Sequence, residues 1–304
     1  MILLTGISGY LGSHILNSTK SDRQVYSIGR TCDCSERIDL AIEIPSFSNV
    51  EFIDSVIHVA GKAHFLPKNK LEEDGFFEVN VTGTRNLLKG IDNWFFEDYG
   101  RKYPKQIVFI STVAVYGLEE GENISENQVL KPTSAYGKSK LEAEKLVLDW
   151  GNERGVNVLI LRLPLIFGTG APGNLGAMET AIKKGYYFRI GSGNAIRSMV
   201  DVEQLSDFLV NLDGSESGIY NLVSYHRTFK EVEQIFSDKY QKRIKVIPSW
   251  MAKFAAKLGD LIPGFPLNSY RLKKLESSLT FDCFLAEKQI NWIQKIEIKT
   301  SFPK

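Results

Sequence analysis

Cysteine is scarce in this chain: Cys32, Cys34 and Cys283 are the only three among 304 residues. So sparse and odd a set builds no disulfide framework and fits a reducing compartment. Cys32 and Cys34 have no further Cys or His pair nearby to complete four ligands, so no metal site is expected and both read as loop bystanders. An excess of charge of one sign is missing too, because 37 Lys and Arg against 36 Asp and Glu leave a formal net charge of +1. That balance gives nucleic acid or an anionic membrane no general attraction, so any bound anion must be held by a local cluster of donors. No apolar run reaches the ~18 residues of a spanning helix, so no membrane insertion is expected. The opening Met1-Ile2-Leu3-Leu4 lacks a basic flank and enters a glycine-rich turn at once, which reads as a strand and not a signal peptide. The expected location is the cytosol.

Short apolar runs alternate with helical patterns through the first two-thirds of the chain. The strand candidates are Ile2–Thr5, Gln24–Ile28, Ser55–Val59, Gln106–Ser111, Asn157–Arg162 and Gly218–Leu222. Helical stretches between them include Leu11–Ser18, Phe76–Ile91, Ala135–Gly151 and Val202–Leu212. Strands rich in Ile and Val that do not alternate with polar residues suit a parallel sheet covered on both faces. The fold class is therefore α/β, a doubly wound parallel Rossmann sheet with right-handed crossovers. The pattern loosens after Leu163. Residues 1–163 with 201–224 are expected to form the dinucleotide-binding domain. Residues 164–200 with 225–304 are expected to form a smaller, interleaved C-terminal substrate lobe, with one extended patch near Leu279–Phe281.

Thr5-Gly6-Ile7-Ser8-Gly9-Tyr10-Leu11-Gly12 joins the first strand to the first helix. Glycines there let the chain turn sharply, approach a pyrophosphate and pack helix on sheet, while the helix start offers free N–H groups to phosphate. The strand–turn–helix context is what separates this motif from an ordinary glycine-rich turn. An NAD enzyme usually ends its second strand in Asp or Glu for the adenosine ribose. Here that strand ends in Gly29-Arg30, and an arginine can pair with a 2′-phosphate, so NADP(H) is favoured over NAD(H). Asp33 or Asp39 remains an alternative adenosine contact.

Tyr136 and Lys140 stand four apart at the start of a helical segment and share a face. A neighbouring ammonium favours the phenolate, so this tyrosine is expected to titrate below its ordinary value and to exchange a proton with substrate. Ser111-Thr112 ends a strand at the sheet edge where ligands bind in open parallel sheets.

With these three elements in order, the chain resembles the extended short-chain dehydrogenase/reductases, and in particular the nucleotide-sugar epimerase/dehydratases. Further matching pieces are His58-Val59-Ala60-Gly61, Asn80-Val81-Thr82-Gly83-Thr84, Leu161-Arg162 through Phe167-Gly168, Arg197-Ser198-Met199-Val200-Asp201-Val202 and Ile219-Tyr220-Asn221-Leu222. The resemblance implies Thr112 as the catalytic hydroxyl, Ser111 as its supporting neighbour, Tyr136 as acid/base and Lys140 as its activator. It implies a cofactor lined by Gly6, Ser8, Gly9, Tyr10, Leu11 and Gly12, by Arg30, Asp39 and Leu40, by Val59, Ala60, Gly61 and Asn80, and by Tyr136, Lys140 and Pro164. Asn174, Arg197 and Arg271 fall where the family contacts the nucleotide diphosphate of a UDP-linked sugar. A homodimer through Thr84–Phe96 and Tyr136–Gly151 is also implied.

Absent residues narrow the reaction. The family's 4,6-dehydratases place Asp-Glu after the catalytic Thr, whereas here Val113 and Ala114 stand there and cannot move protons. Cys32 and Cys34 lie toward the adenosine end, and His64 is a lone histidine, so none supplies the extra acid/base pair of a neighbouring-carbon epimerase. Chemistry at C4 remains: reduction of a UDP-4-keto-6-deoxy-N-acetylhexosamine, or 4-epimerisation of a UDP-hexose or UDP-N-acetylhexosamine with tightly held NAD. The tail, Arg271 through Asp282 and Ile290-Asn291-Trp292, resembles the subgroup acting on N-acetylated 6-deoxyhexosamines, and Gly29-Arg30 tips the choice to reduction. A non-catalytic dinucleotide sensor or scaffold is the reading from another class, and it predicts the loss of a Tyr, Lys or Gly that this chain retains. Finally, Trp250-Met251-Ala252-Lys253-Phe254-Ala255-Ala256-Lys257-Leu258, continuing to Leu261 and Ile262, is amphipathic, and is expected to face the core of the smaller lobe more readily than a membrane surface.

Overall fold

The computed structural model describes residues 1–20, 23–31, 33–47, 49–63, 67–98, 100–212, 214, 216–262 and 267–295. Cys32 and His64 lie outside the described residues.

In chain order, β1 (Ile2–Thr5), α1 (Tyr10–Ser18), β2 (Val25–Gly29), β3 (Glu36–Arg37) and β4 (Ser55–His58) open the fold. They are followed by α2 (Lys70–Phe77), a π-helical turn at Glu78–Thr82, α3 (Gly83–Glu97), β5 (Gln106–Thr112) and a 3₁₀ turn at Val113–Tyr116. Next come β6 (Gly121–Ile124), α4 (Ala135–Arg154), β7 (Asn157–Leu163), β8 (Leu165–Phe167), α5 (Gly173–Lys184), β9 (Phe188–Ile190) and β10 (Ile196–Asp201). The chain continues through α6 (Val202–Asn211), β11 (Gly218–Asn221), β12 (Tyr225–Thr228), α7 (Phe229–Tyr240), β13 (Lys245–Ile247) and α8 (Ser249–Leu261). It closes with α9 (Ser269–Glu276), β14 (Leu279–Phe281) and α10 (Phe284–Ile290).

Seven strands form a wholly parallel sheet in the order β11-β7-β5-β4-β1-β2-β3. Order reverses at β1 and β4, which is the switch point where an open α/β sheet leaves a crevice at its carboxyl edge. Successive side chains point to opposite faces. Ile2, Leu4, Val108, Ile110, Leu159 and Leu161 pack with α1 and α6 on one side, and Leu3, Ile107, Phe109, Val158 and Ile160 with α3 and α4 on the other. Two-sided burial is why these strands are continuous apolar runs in sequence.

A second sheet of β12-β10-β14-β6, with β8 paired to β10, and the pair β13-β9 are built from short strands. Phe281, Ala286, Ile290 and Trp292 join the core under the main sheet, and the Trp292 indole donates to Val223 O at 2.8 Å. The expected helix Phe76–Ile91 is divided: α2 ends at Phe77 and a π-helical turn intervenes before α3. That wider turn carries Asn80, which is buried and spends its side chain on groups outside the helix.

Candidate active site

Close approach of backbone to backbone creates the site. Gly6 has φ +76°, and a Cβ there would stand 2.7 Å from Ala60 N. A Cβ on Gly12 would stand 2.1 Å from Gly6 O, so only glycine lets α1 start this close to the turn. At its N-cap Gly9 makes no side-chain cap, and the first turn of α1 carries no acidic residue. Its N–H groups and positive dipole end therefore face outward for an anion, with exposed Ser8 beside them. These features fit a dinucleotide pyrophosphate.

One hydrogen-bonded chain runs from this turn to α4. The Thr5 hydroxyl oxygen accepts from Val59 N at 3.1 Å and Ala60 N at 2.9 Å, so its own hydrogen goes to His58 Nδ1 at 2.7 Å. His58 Nε2 then donates to Thr84 Oγ1 at 2.9 Å, and Thr84 donates to Asn80 O at 2.6 Å. Burial, with the Lys140 charge adding to it, pulls the His58 pKa from 6.5 to about 3, which agrees with this neutral tautomer. The Asn80 amide donates to Lys62 O and to Ser139 Oγ at 2.9 Å, and Ser139 donates to Tyr136 O. Val59, Ala60, Gly61 and Asn80 are thus brought against the N-terminal part of α4.

Tyr136 reaches the end of β5 because Gly137 follows it. A Cβ at Gly137 would lie 2.6 Å from Ala114 O, so α4 seats against the 3₁₀ turn only with glycine there. Ser134 caps α4 by accepting from Gly137 N at 3.1 Å. The Thr112 hydroxyl lies beside the Tyr136 phenol and favours its ionised form, and the Tyr136 ring packs on buried Phe76 with centroids 6.0 Å apart. Lys140 is 4% exposed, with Nζ 4.1 Å from the Phe109 ring centre. A Cβ on Gly61 would be 3.7 Å from that nitrogen. Thr112, Tyr136, Lys140 and Gly61 therefore meet at the carboxyl edge of the sheet.

The electrostatics depart from the sequence expectation. Burial raises the Tyr136 pKa above its ordinary value and the Thr112 hydrogen bond only partly opposes this. Lys140 is itself pushed down to about 7 by burial, with the Glu144 carboxylate opposing. Burial of the phenol outweighs the Thr112 contact, so the expected lowering of Tyr136 is not found here.

Ser111 is buried and donates to Glu144 Oε1. Glu144 is the residue sequence reasoning missed. It pairs with buried Arg162 through Nε at 3.1 Å and Nη2 at 2.7 Å, and Arg162 Nη1 reaches Tyr116 Oη at 3.2 Å. Tyr116 in turn donates to Asn221 Oδ1 at 2.7 Å. A usable signal existed: Arg162 sits in an apolar strand that demands a counter-charge, and Glu144 is one turn beyond Lys140.

Past the carboxyl end of β2, Arg30 is exposed and 4.0 Å from the Asp39 carboxylate, while Leu40 is buried and its carbonyl accepts from Asn86. Cys34 places its thiol against the carbonyls of Thr31 and Glu36 in the same loop. Tyr10 is half-buried and Leu11 buried in α1, and Pro164 is half-buried between β7 and β8. Asn174 is exposed in the first turn of α5. The Arg197 guanidinium donates to Ser277 O and to Lys274 O at 2.8 Å, anchoring the end of α9, on which Arg271 is exposed. Both expected cations thus belong to one corner, apart from the Tyr136 cluster in sequence and element. Among the described residues no group of His, Cys, Asp and Glu could hold a metal ion.

A family model described as the NAD dependent epimerase/dehydratase family matches residues 2–222. The chain belongs to this family. Among its relatives, an Escherichia coli O157:H7 protein named N-acetyl-alpha-D-glucosaminyl-diphospho-ditrans,octacis-undecaprenol 4-epimerase is 26% identical over 298 residues, spanning 92% of this chain and 87% of that one. GDP-6-deoxy-D-mannose reductase of Pseudomonas aeruginosa is 27% identical over 261 residues, spanning 81% and 82%. The solved structure of RMD from Pseudomonas aeruginosa complexed with NADPH superposes with a TM-score of 0.73 at 22% identity, covering 99% of this chain and 95% of that one. The relatives therefore include an epimerase and a reductase at comparable identity.

Proposed function

We propose that this protein transfers hydride at C4 of a UDP-linked sugar, and that its forward reaction reduces a UDP-4-keto-6-deoxy-N-acetylhexosamine for surface polysaccharide synthesis. The observation that carries this reading is the Thr112–Tyr136–Lys140 cluster at the sheet edge, followed at Val113 and Ala114 by residues without acid/base function. The dinucleotide, held by the Gly6–Gly12 turn and α1, supplies the hydride when bound. Thr112 holds the C4 oxygen and Tyr136 gives it the phenolic proton, leaving the alcohol and an oxidised cofactor. A tyrosine whose pKa is raised by burial keeps its proton at neutral pH, which suits an acid in the reductive direction. Exposed Arg30 beside the adenosine end supports NADP(H). We place Asn174, Arg197 and Arg271 at the diphosphate of the sugar nucleotide.

A second reading, a 4-epimerase with tightly held NAD, is favoured by Asp39, whose carboxylate stands 4.0 Å from Arg30 where an adenosine ribose would be read. Purified protein mixed with NADPH and a UDP-4-keto-6-deoxy-N-acetylhexosamine should oxidise the cofactor stoichiometrically with product. Retained NAD, with interconversion of UDP-GlcNAc and UDP-GalNAc without added reductant, would instead establish the epimerase.

A further inference from the structure

Helix α8 turns its large side chains the wrong way for a core helix. Only Ala252 and Ala256 of α8 are buried, packed with Leu272 of α9. Trp250 is 72% exposed, Phe254 65% and Leu261 79%, with Met251, Leu258 and Ile262 exposed beside them. At 100° per residue, Trp250, Phe254, Leu258 and Leu261 fall on one stripe, and Met251 continues it. This overturns the expectation of a core-facing helix: the small residues were chosen for contact with α9, and the bulky ones for something outside the fold.

The charge around that stripe identifies what it faces. Lys253 and Lys257 flank it on one side, and residues 242–259 carry Lys242, Arg243, Lys245, Lys253 and Lys257 with no carboxylate. A chain of net charge +1 has therefore gathered five cations in one short stretch. Among the described residues, none of the five pairs with a carboxylate. The next acid along the chain, Asp260, is turned to α9, where it accepts from Ser269 N at 2.9 Å and from the Ser269 hydroxyl. A Trp/Phe/Leu stripe bordered by lysines is the pattern of a helix lying in the headgroup plane. We infer that α8 seats this protein peripherally on the surface of an anionic phospholipid bilayer, apolar stripe inward and lysines among the headgroups. No spanning element is involved: among the described residues no helix is long and apolar enough to cross a membrane. The surface is independent of the sugar chemistry, so its failure leaves the proposed reaction untouched.

A built-in probe makes the test direct. Of four tryptophans, Trp94, Trp150 and Trp292 are buried and Trp250 is exposed, so a lipid-induced emission change reports α8. The full-length protein is mixed with phosphatidylcholine vesicles with or without phosphatidylglycerol. We expect co-sedimentation and a blue shift with the anionic vesicles, both weakened by salt. Phe254→Ser with Leu258→Ser should abolish binding while keeping the wild-type Tm and activity on soluble substrate. Lys253→Gln with Lys257→Gln should weaken it roughly tenfold on anionic vesicles. Wild-type protein that stays in the supernatant without a shift overturns the inference. So does binding that survives Phe254→Ser/Leu258→Ser, or a concentration-dependent oligomer that this pair dissociates in the absence of lipid, since the stripe would then cover a second copy.

Discussion

At the scale of single residues, the site sets the proposed proton carrier, Tyr136, on a buried scaffold. Tyr136→Phe removes only the phenolic oxygen, so kcat should fall roughly 10²–10⁴-fold with dinucleotide affinity retained. Steady-state kinetics beside cofactor titration separates the two effects, and unchanged turnover would remove Tyr136 from the chemistry. Glu144 acts through others: it holds Ser111, next to Thr112, and neutralises Arg162. Glu144→Gln leaves the buried guanidinium without its counter-charge, and should cost about 3–5 kcal/mol of stability in denaturant unfolding. Replacing Glu144 and Arg162 together by apolar residues should cost less than Glu144→Gln alone. A double variant weaker than the single would mean the pair is worth more than the desolvation it requires.

Elements meet here only where side chains are absent. The Gly6–Gly12 turn and the contact of Gly137 with Ala114 O bring α1 and α4 closer to the sheet edge than any Cβ would permit. Gly12→Ala must push α1 away from Gly6 O, so dinucleotide binding should weaken at least tenfold, measured by fluorescence titration, while far-UV circular dichroism changes little. The π-helical turn has a comparable purpose. It turns Asn80 toward Lys62 and Ser139, tying the loop after β4 to α4, and a regular helix would continue past that position.

For the whole molecule, the Thr5–His58–Thr84–Asn80 chain makes stability depend on acid. Below about 6.5 the unfolded chain protonates this imidazole, whereas the folded one stays neutral until about 3. The unfolded state thus binds the extra proton, and stability falls as pH drops through that window. His58→Asn should flatten the dependence of unfolding free energy on pH between about 4 and 6 by up to ~1.4 kcal/mol per pH unit. Equal slopes for the two proteins would show that His58 is protonated in the native state.

The main sheet was legible in the sequence because a strand buried on both faces must be apolar throughout, and Gln106–Ser111 or Asn157–Arg162 differ from the observed strands by one residue at the end. The Gly-x-x-Gly-x-x-Gly turn and the Tyr136–Lys140 spacing were legible for the same reason: each constraint lies within a few residues. Strands β6, β8, β9 and β12 were not, since each is three or four residues long and is defined by partners distant in the chain. Sequence by itself determined that the main sheet is parallel, and it supplied the residues proposed for proton transfer. Only the tertiary structure decided that Glu144 answers Arg162, that burial raises the Tyr136 pKa and lowers that of Lys140, and that α8 shows its aromatic face to the outside. Desolvation and the choice of which helix face to bury depend on what packs opposite, and no local pattern of residues contains that.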